Sequence, residues 1–217
     1  MRVNGIIFDL DGTLVDTIED ISAAANLMLC NHGYPVHSID EYLNWIGNGA
    51  ARLIELAVPS NLKGQSLDIL VNEFKSNYSR NLNNKTNVYK GIPQLLDCLE
   101  QMTLAVSILS NKPHQLTKEV VKCYLSRWKF SFVYGQRDGI PKKPDPAAAL
   151  KMAEEMGIRA EQILFVGDSK NDILTARAGG FIPVGVLWGY GKEIEILEVG
   201  ADYIIHEPPE LLGLLKN

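Results

Sequence analysis

The sequence predicts an α/β fold: a doubly wound, mostly parallel sheet into which an α-helical domain is inserted. Short apolar, β-branched runs at residues 6–8, 104–109, 163–166 and 184–187 alternate with helical patterns across short connections. That alternation calls for a parallel sheet covered on both faces. Residues 16–87 carry successive helical patterns with no strand between them, far more chain than the dozen or so residues of an ordinary crossover. Three of the apolar runs also end in polar groups of one kind: Asp9 and Asp11, then Ser110 and Asn111, then Asp168. Doubly wound sheets bind ligands outside the carboxyl ends of their strands.

In chain order, Val3 to Thr17 reads VNGIIFDLDGTLVDT, a buried strand that stops where two carboxylates begin. Carboxylates are seldom buried without a partner, so the pair asks for a cation, a substrate or both. Read blandly, Asp9 caps a turn and Asp11-Gly12 is a turn dipeptide. Helical spacing follows over 16–29, with Asp16 or Thr17 as N-cap, and Gly33 and Pro35 end it. Ser38 with Glu41 three residues on forms a capping box for a second helix to 46. After the Gly47-Asn48-Gly49 turn come helices at 50–57 and 66–82, a compact bundle. Then follow helix 91–101, strand 104–109, helix 116–125, strand 130–134, helix 145–156, strand 163–166, helix 172–178, and strands 184–187 and 203–205. The core is thus expected at 1–15 and 88–217 and a helical cap at 16–87, with hinges near Val15 and Val88.

Composition sets bounds. The chain has 217 residues, 46% of them hydrophobic, enough to bury a core without staples. A net charge of −5 argues against a nucleic-acid surface and a polybasic membrane anchor. The N-terminal apolar run is too short for a signal peptide and no run reaches the length of a membrane span, which predicts a cytoplasmic protein; monomer and homodimer are both open. Cys30, Cys98 and Cys123, odd in number and set in helical apolar patterns, read as reduced, core or half-buried thiols.

If the polar-ended strands are neighbours, Asp9, Asp11, Asp168 and Asp172 meet at one edge. Such a cluster cannot stay ionised unaided. A hard divalent cation resolves it, and Mg²⁺ suits a few carboxylates with water and phosphate. Ser110, at a strand end before a helix, can hold phosphate oxygens with nearby N–H groups. Lys142-Lys143-Pro144-Asp145-Pro146 sets lysine against a proline turn, where one of the two can neutralise both a carboxylate and an incoming phosphate. A carboxylate can be the nucleophile, and a second one two residues away on an extended chain can protonate the leaving oxygen and then activate water.

Asp9-Leu10-Asp11-Gly12-Thr13-Leu14, Ser110-Asn111-Lys112, Lys143-Pro144-Asp145-Pro146, and Gly167-Asp168-Ser169 with Asn171-Asp172 are four ordered motifs. In them the chain resembles the haloacid dehalogenase superfamily of phosphatases over essentially its whole length. The resemblance implies a Rossmann-like core, Asp9 as nucleophile and Mg²⁺ ligand, Asp11 as general acid/base and ligand through its backbone carbonyl, and Asp168 as a further ligand. It implies that Ser110 and Lys143 bind the phosphoryl group, that Asn111 contributes to that pocket, that Asp172 supports the metal, and that Thr13 orients the loop. The insert would be a cap closing over a small phosphorylated metabolite, with Gly47-Asn48-Gly49 as its specificity tip. An acid at Asp11 favours phosphate-ester cleavage over dehalogenation. The cap tip, the Ser110-Asn111-Lys112 form of the second motif and residues 186–191 look most like the phosphoglycolate phosphatases. A pyrophosphatase or sugar-phosphate mutase of the same superfamily, and a non-catalytic sensor of phosphorylated ligands, are the competing readings.

Arg52 reads either as a partner for a substrate carboxylate or as part of a solvated helix face. His114 reads as a surface residue at a helix start, while His32, His37 and His206 suggest no ligand set. Trp45 and Trp188 line the cleft or the core, and the acidic run 193–198 is a solvated helix face.

Overall fold

The computed structural model describes residues 3–62, 64–82 and 84–215. Of the expected domain ranges, residues 1, 2, 216 and 217 of the core and 63 and 83 of the insert lie outside the described residues. The chain forms two compact units, Met1–Asp16 with Val88–Asn217, and Thr17–Asn87.

The first unit is built on six strands: β1 (Gly5–Phe8), β4 (Ala105–Pro113), β5 (Val133–Gln136), β6 (Ile163–Gly167), β7 (Ile182–Val186) and β8 (Tyr203–Ile205). They lie in the order β5-β4-β1-β6-β7-β8, and each neighbouring pair runs parallel. Two short strands, β2 (Val15–Asp16) and β3 (Asn87–Val88), pair with each other. Two residues carry no periodicity, so neither strand is visible in the sequence.

β1 sits in the middle because its side chains are apolar on both faces: Ile6, Ile7 and Phe8 have no solvent exposure. A strand covered on both faces reads as a continuous apolar run. On one face Ile7, Leu109 and Phe165 pack with Ala149, Met152 and Ala153 of helix α7 (Ala147–Met156) and Ala176 of helix α8 (Lys170–Gly179). Phe181 closes that cluster edge-on to Phe165, with ring centroids 5.9 Å apart. The register sets Phe8 level with Ile108 and with Val166, so Asp9, the last residues of β4 and Asp168 follow at one edge of the sheet, at the carboxyl ends of β1, β4 and β6. Those are the three ends that carry the candidate site.

Several boundaries differ from the sequence reading. β4 runs on through Ser110, Asn111 and Lys112 to Pro113, and helix α6 (His114–Tyr124) starts at once. The second motif is therefore part of the strand, in a stretch where the register against β5 shifts between Leu109 and Pro113. β5 starts at Val133 instead of 130. Ser131 N–H and Ile108 N–H already bond across to Val106 O and Phe132 O (2.7 and 2.9 Å), but the ladder proper opposes Val133 and Tyr134 to Ile108 and Leu109. Helix α8 begins two residues early, because Ser169 and Asp172 form a capping box that starts it at Lys170.

The three cysteines are free, as expected, but all are exposed, which corrects their placement in or near the core. Each neighbours apolar residues in sequence without sharing their stripe. Cys98, between buried Leu96 and Leu99 of helix α5 (Ile92–Glu100), lies off the face of Ile92, Leu95, Leu96 and Leu99 because each helical residue turns by about 100°.

The second unit is a helical bundle of α1 (Ile18–Asn31), α2 (Ile39–Trp45), α3 (Ala50–Ala57) and α4 (Gln65–Arg80). The Ser38–Glu41 capping box is present: Glu41 N–H donates to Ser38 Oγ and Ser38 N–H to Glu41 Oε2. His37 ties three helices together. Its Nδ1 meets Glu41 Oε1 at 3.0 Å, its Nε2 meets Ala57 O at 2.8 Å, and its backbone N–H donates to Asn26 Oδ1. Trp45 packs edge-on against His37 and Tyr42.

Asp20, 2% exposed in the first turn of α1, holds the returning chain. It accepts from Lys85 N–H, Thr86 N–H (2.9 Å) and Thr86 Oγ1 (2.7 Å). Removing an ionised acceptor orphans buried backbone donors, so Asp20→Ala is expected to cost about 2–3 kcal/mol. Denaturant unfolding of the variant and parent reads this directly. A difference under about half a kcal/mol, the size of a surface change, would mean that water replaces the carboxylate without penalty.

Candidate active site

The loop after β1 is wound tightly around one carbonyl: Thr13, Leu14 and Val15 N–H groups all point to Leu10 O, and Gly12 N–H bonds Val15 O. Gly12 has φ +86°, and a Cβ there would lie 2.3 Å from Asp168 Oδ2. Asp11-Gly12 is thus a turn, as in the bland reading, and a turn that lets Asp168 approach.

The core unit brings together Asp9, Asp11, Thr13, Ser110, Asn111, Lys143, Asp168 and Asp172. Lys143, 4% exposed, lies 2.8 Å from Asp9 Oδ1 and 2.6 Å from Asp172 Oδ1, and its Nζ also donates to Leu109 O. Burial opposes its charge, but the Asp172 and Asp9 carboxylates outweigh that and hold Lys143 above its ordinary pKa. Asn111 fixes the lysine from behind: its amide donates to Lys143 O and accepts from Lys143 N–H (2.9 and 2.8 Å). Asp172 Oδ2 accepts from Ser169 N–H and Oγ. Ser110 is 5% exposed, and its Oγ accepts from Lys112 N–H at 3.2 Å.

Asp168 is held from two directions. Thr13 Oγ1 donates to its Oδ1 (3.2 Å), while Tyr190 and Gly191 N–H groups donate to its Oδ2 (2.8 and 3.3 Å). The loop after β7 therefore works as a cradle for this carboxylate. Trp188 Nε1 anchors it to Thr13 O at 2.9 Å, and Tyr190 Oη donates to Asp16 Oδ1. A Cβ on Gly191 would come within 1.7 Å of Asp168 O, so the cradle needs glycine there for close approach. The sequence placed Trp188 against cleft or core and gave this loop no structural task. No local signal shows it, since the contacts span more than twenty residues of chain.

Lys112 was also missed. It is 7% exposed, and its Nζ lies 3.0 and 3.1 Å from the two oxygens of Asp11. Its place two residues after Ser110 does not by itself show this contact, because the register of β4 against β5 shifts between Leu109 and Pro113.

Asp9, Asp168 and Asp172 each bring an oxygen within 4.8 Å of the others. Burial, together with the Asp172 and Asp168 charges, pushes the Asp9 carboxyl up to about 8 against the pull of Lys143. Burial and the Asp172 charge push Asp168 up to about 7, against the pull of the Tyr190 N–H, the Thr13 hydroxyl and Lys143. Asp9 Oδ1 is close enough to Lys143 Nζ for an ion pair, but the approach is off the hydrogen-bond direction. Among the described residues it has no hydrogen-bond partner. A buried carboxylate oxygen with no hydrogen-bond partner, among three carboxylates that offer oxygen donors, fits a hard divalent cation.

These raised values fix a pH dependence. Between the ordinary value of 3.8 and the raised values near 8 and 7, the folded protein holds protons that the unfolded chain has released. Without a cation, stability then falls as pH rises through that window. A cation that binds only the ionised carboxylates offsets the fall. Thermal melts of chelator-treated protein from pH 5 to 8 should show a falling midpoint, and saturating Mg²⁺ should flatten it. A midpoint in chelator that does not fall over this range would contradict the raised values.

Gly47, Asn48, Gly49 and Arg52 belong to the other unit. Gly47 and Gly49 turn the chain between α2 and α3 with φ +96° and +84°, and Arg52 Nη1 pairs with Glu55 Oε2 at 2.6 Å on an exposed face of α3. His114, first residue of α6, accepts from Gly135 N–H through Nδ1 (3.2 Å). Burial, with the Arg137 and Lys118 charges, holds it below its ordinary pKa.

Comparison with known proteins agrees with this geometry. The family model described as haloacid dehalogenase-like hydrolase matches residues 6–186. A phosphoglycolate phosphatase of Pasteurella multocida (strain Pm70) is 32% identical over 216 residues, covering 96% of each chain. One from Pseudomonas syringae pv. syringae (strain B728a) is 33% identical over 213 residues, covering 95% of this chain and 78% of that one. The crystal structure of a predicted phosphoglycolate phosphatase from Haemophilus somnus 129pt superposes with a TM-score of 0.93 at 29% identity, covering 100% of this chain and 99% of that one. Matched by the family model over most of its length, and by these relatives over nearly all of it, the chain belongs to the haloacid dehalogenase-like hydrolases.

Proposed function

We propose that the protein is a Mg²⁺-dependent phosphomonoesterase that works through an aspartyl-phosphate on Asp9, with 2-phosphoglycolate as its substrate. The observation that carries this reading is the buried cluster of Asp9, Asp168 and Asp172 oxygens, with Lys143 2.8 Å from Asp9 Oδ1. The relatives described as phosphoglycolate phosphatases support the choice of substrate.

In the first half-reaction an Asp9 oxygen attacks phosphorus, the ester P–O bond breaks, and its electron pair stays on the departing oxygen. That oxygen takes a proton from Asp11. In the second half, Asp11 as carboxylate takes a proton from water while the water oxygen attacks phosphorus. The bond to Asp9 breaks and phosphate leaves. Ser110 and Lys143 hold the phosphoryl oxygens, and Lys143 also favours the ionised form of Asp9 that the attack needs. Asn111 keeps Lys143 in place. Mg²⁺ would be held by Asp9, Asp168 and the Asp11 carbonyl, with Asp172 in support, and would supply positive charge against the phosphoryl oxygens.

The helical unit serves as a cap whose Gly47-Asn48-Gly49 turn and Arg52 meet the substrate, and its closure excludes water. The enzyme works in the cytoplasm, a setting that suits three free thiols. Among the described residues no helix is long and apolar enough to cross a membrane.

A panel of 2-phosphoglycolate, a hexose phosphate and pyrophosphate, assayed with Mg²⁺ and with chelator, tests the reading. Phosphate release that needs Mg²⁺, with the highest kcat/KM for 2-phosphoglycolate, is expected. Release from pyrophosphate alone, or from nothing, would contradict it.

A further inference from the structure

The core unit buries two lysines beside its carboxylates, and the phosphoryl chemistry uses one. Lys143 lies between Asp9 and Asp172, at the end where phosphorus is attacked. Lys112 lies against Asp11, the group that hands its proton to the departing alcohol, and its side chain is only 5% exposed. Taking an ammonium out of water costs several kcal/mol even when it is paired, so a neutral side chain of similar length would fill this place at less cost. The charge is positioned on the leaving-group side of the reaction.

We propose that Lys112 is a specificity-determining residue that binds a carboxylate on the alcohol portion of the ester, one carbon away from the ester oxygen. The inference rests on the phosphomonoesterase reading above. To protonate the ester oxygen, Asp11 comes within hydrogen-bond reach of it, about 3 Å. Lys112 Nζ is itself within 3.1 Å of both Asp11 oxygens. The ammonium is then no more than about 6 Å from the ester oxygen, two hydrogen-bond lengths end to end. In a phosphorylated 2-hydroxy acid the carboxylate oxygens lie about one further hydrogen-bond length, ~3 Å, from that ester oxygen. A carboxylate that lies on the Lys112 side of the ester oxygen thus comes within contact of Nζ without movement of β4.

Lys112 would then lie between two carboxylates, that of Asp11 and that of the substrate, as Lys143 lies between Asp9 and Asp172. A compact ammonium suits this, since one point charge with rotatable donors can serve two acceptors. An ester whose alcohol ends in a hydroxyl offers Lys112 a weaker partner and leaves its charge less compensated. The recognised class is therefore a short phosphorylated 2-hydroxycarboxylate.

The test compares kcat/KM for 2-phosphoglycolate and for 2-hydroxyethyl phosphate, which replaces the carboxylate by a hydroxymethyl group, in the full chain with Mg²⁺. The wild type should favour 2-phosphoglycolate by about tenfold or more, the size of a charge-assisted contact. In Lys112→Met the ratio of the two kcat/KM values should fall by about 10- to 100-fold, and Lys112→Arg should restore part of it. An equal loss on both esters would mean that Lys112 acts only through Asp11, and it overturns the inference while leaving the phosphomonoesterase reading intact. Wild type that turns over both esters equally does the same, and this arm stands even if Lys112→Met does not fold. Hydrolysis of neither ester by wild type overturns both.

Discussion

Asp9→Asn is expected to lower kcat by a factor on the order of 10⁴ or more, the loss seen when a nucleophile is removed and only binding and charge stabilisation remain. The amide is nearly isosteric, so the loop around Leu10 O keeps its hydrogen bonds. The substitution also removes a carboxyl that burial and the Asp172 and Asp168 charges push up to about 8 against the pull of Lys143, so at pH 7 the variant no longer has to hold a proton that the unfolded chain has released. The metal-free variant should therefore be as stable as the parent at pH 7 or more so, while being inactive. Activity within tenfold of wild type would remove Asp9 from the chemistry. Inactivity together with a large drop in melting temperature would show a structural role instead.

Lys143→Ala should have the next largest effect, and it should damage both properties. Removing one partner of a buried ion pair leaves an uncompensated charge and costs about 3–5 kcal/mol. Here the abandoned groups are Asp9 and Asp172, 2.8 and 2.6 Å from the lost ammonium. Asp9, which burial and the neighbouring carboxylates already push up to about 8 against the pull of Lys143, holds its proton at pH 5 and needs no cation there, so the stability deficit should be smaller at pH 5 than at pH 8. Activity should fall by about 10²–10³-fold, the usual cost of one charge-stabilising donor in a closed site. Lys143→Arg should not rescue it, because a planar fork cannot replace a point charge that also donates to Leu109 O. A variant as stable as wild type at pH 8 would mean that solvent reaches these carboxylates more freely than an exposure of 8% at Asp9 and none at Asp172 allows.

Where the sequence was informative, the signal was a local conflict between polarity and position. Ile6-Ile7-Phe8 followed at once by Asp9 and Asp11 could not be an ordinary strand end, and those carboxylates lie at the edge where β4 and β6 bring Ser110 and Asp168. The helical insert was legible from its length alone, and the Ser38–Glu41 cap from its spacing. Three features were not legible, each for its own reason. The Asp168 cradle depends on N–H groups of Tyr190 and Gly191 that come close only once β6 and β7 are paired. Asp20 looked like an ordinary first-turn acid until Lys85 and Thr86 returned beside it. The cysteines were misplaced because adjacency to Leu96 or Leu99 was read as sharing their face. Lys112 was not legible either: the sequence ends the strand at residue 109, and the register of β4 shifts between Leu109 and Pro113, so spacing alone does not place its side chain.

The covalent state of Asp9 during turnover is the most direct test. Enzyme mixed with 2-phosphoglycolate and Mg²⁺ is quenched in acid within one turnover, digested and examined by peptide mass spectrometry. One phosphoryl group on the peptide containing Asp9, absent from Asp9→Asn and lost on treatment with hydroxylamine, is the predicted result. Full turnover with no phosphoryl group on that peptide, or with the group on Ser110, would contradict an aspartyl-phosphate mechanism.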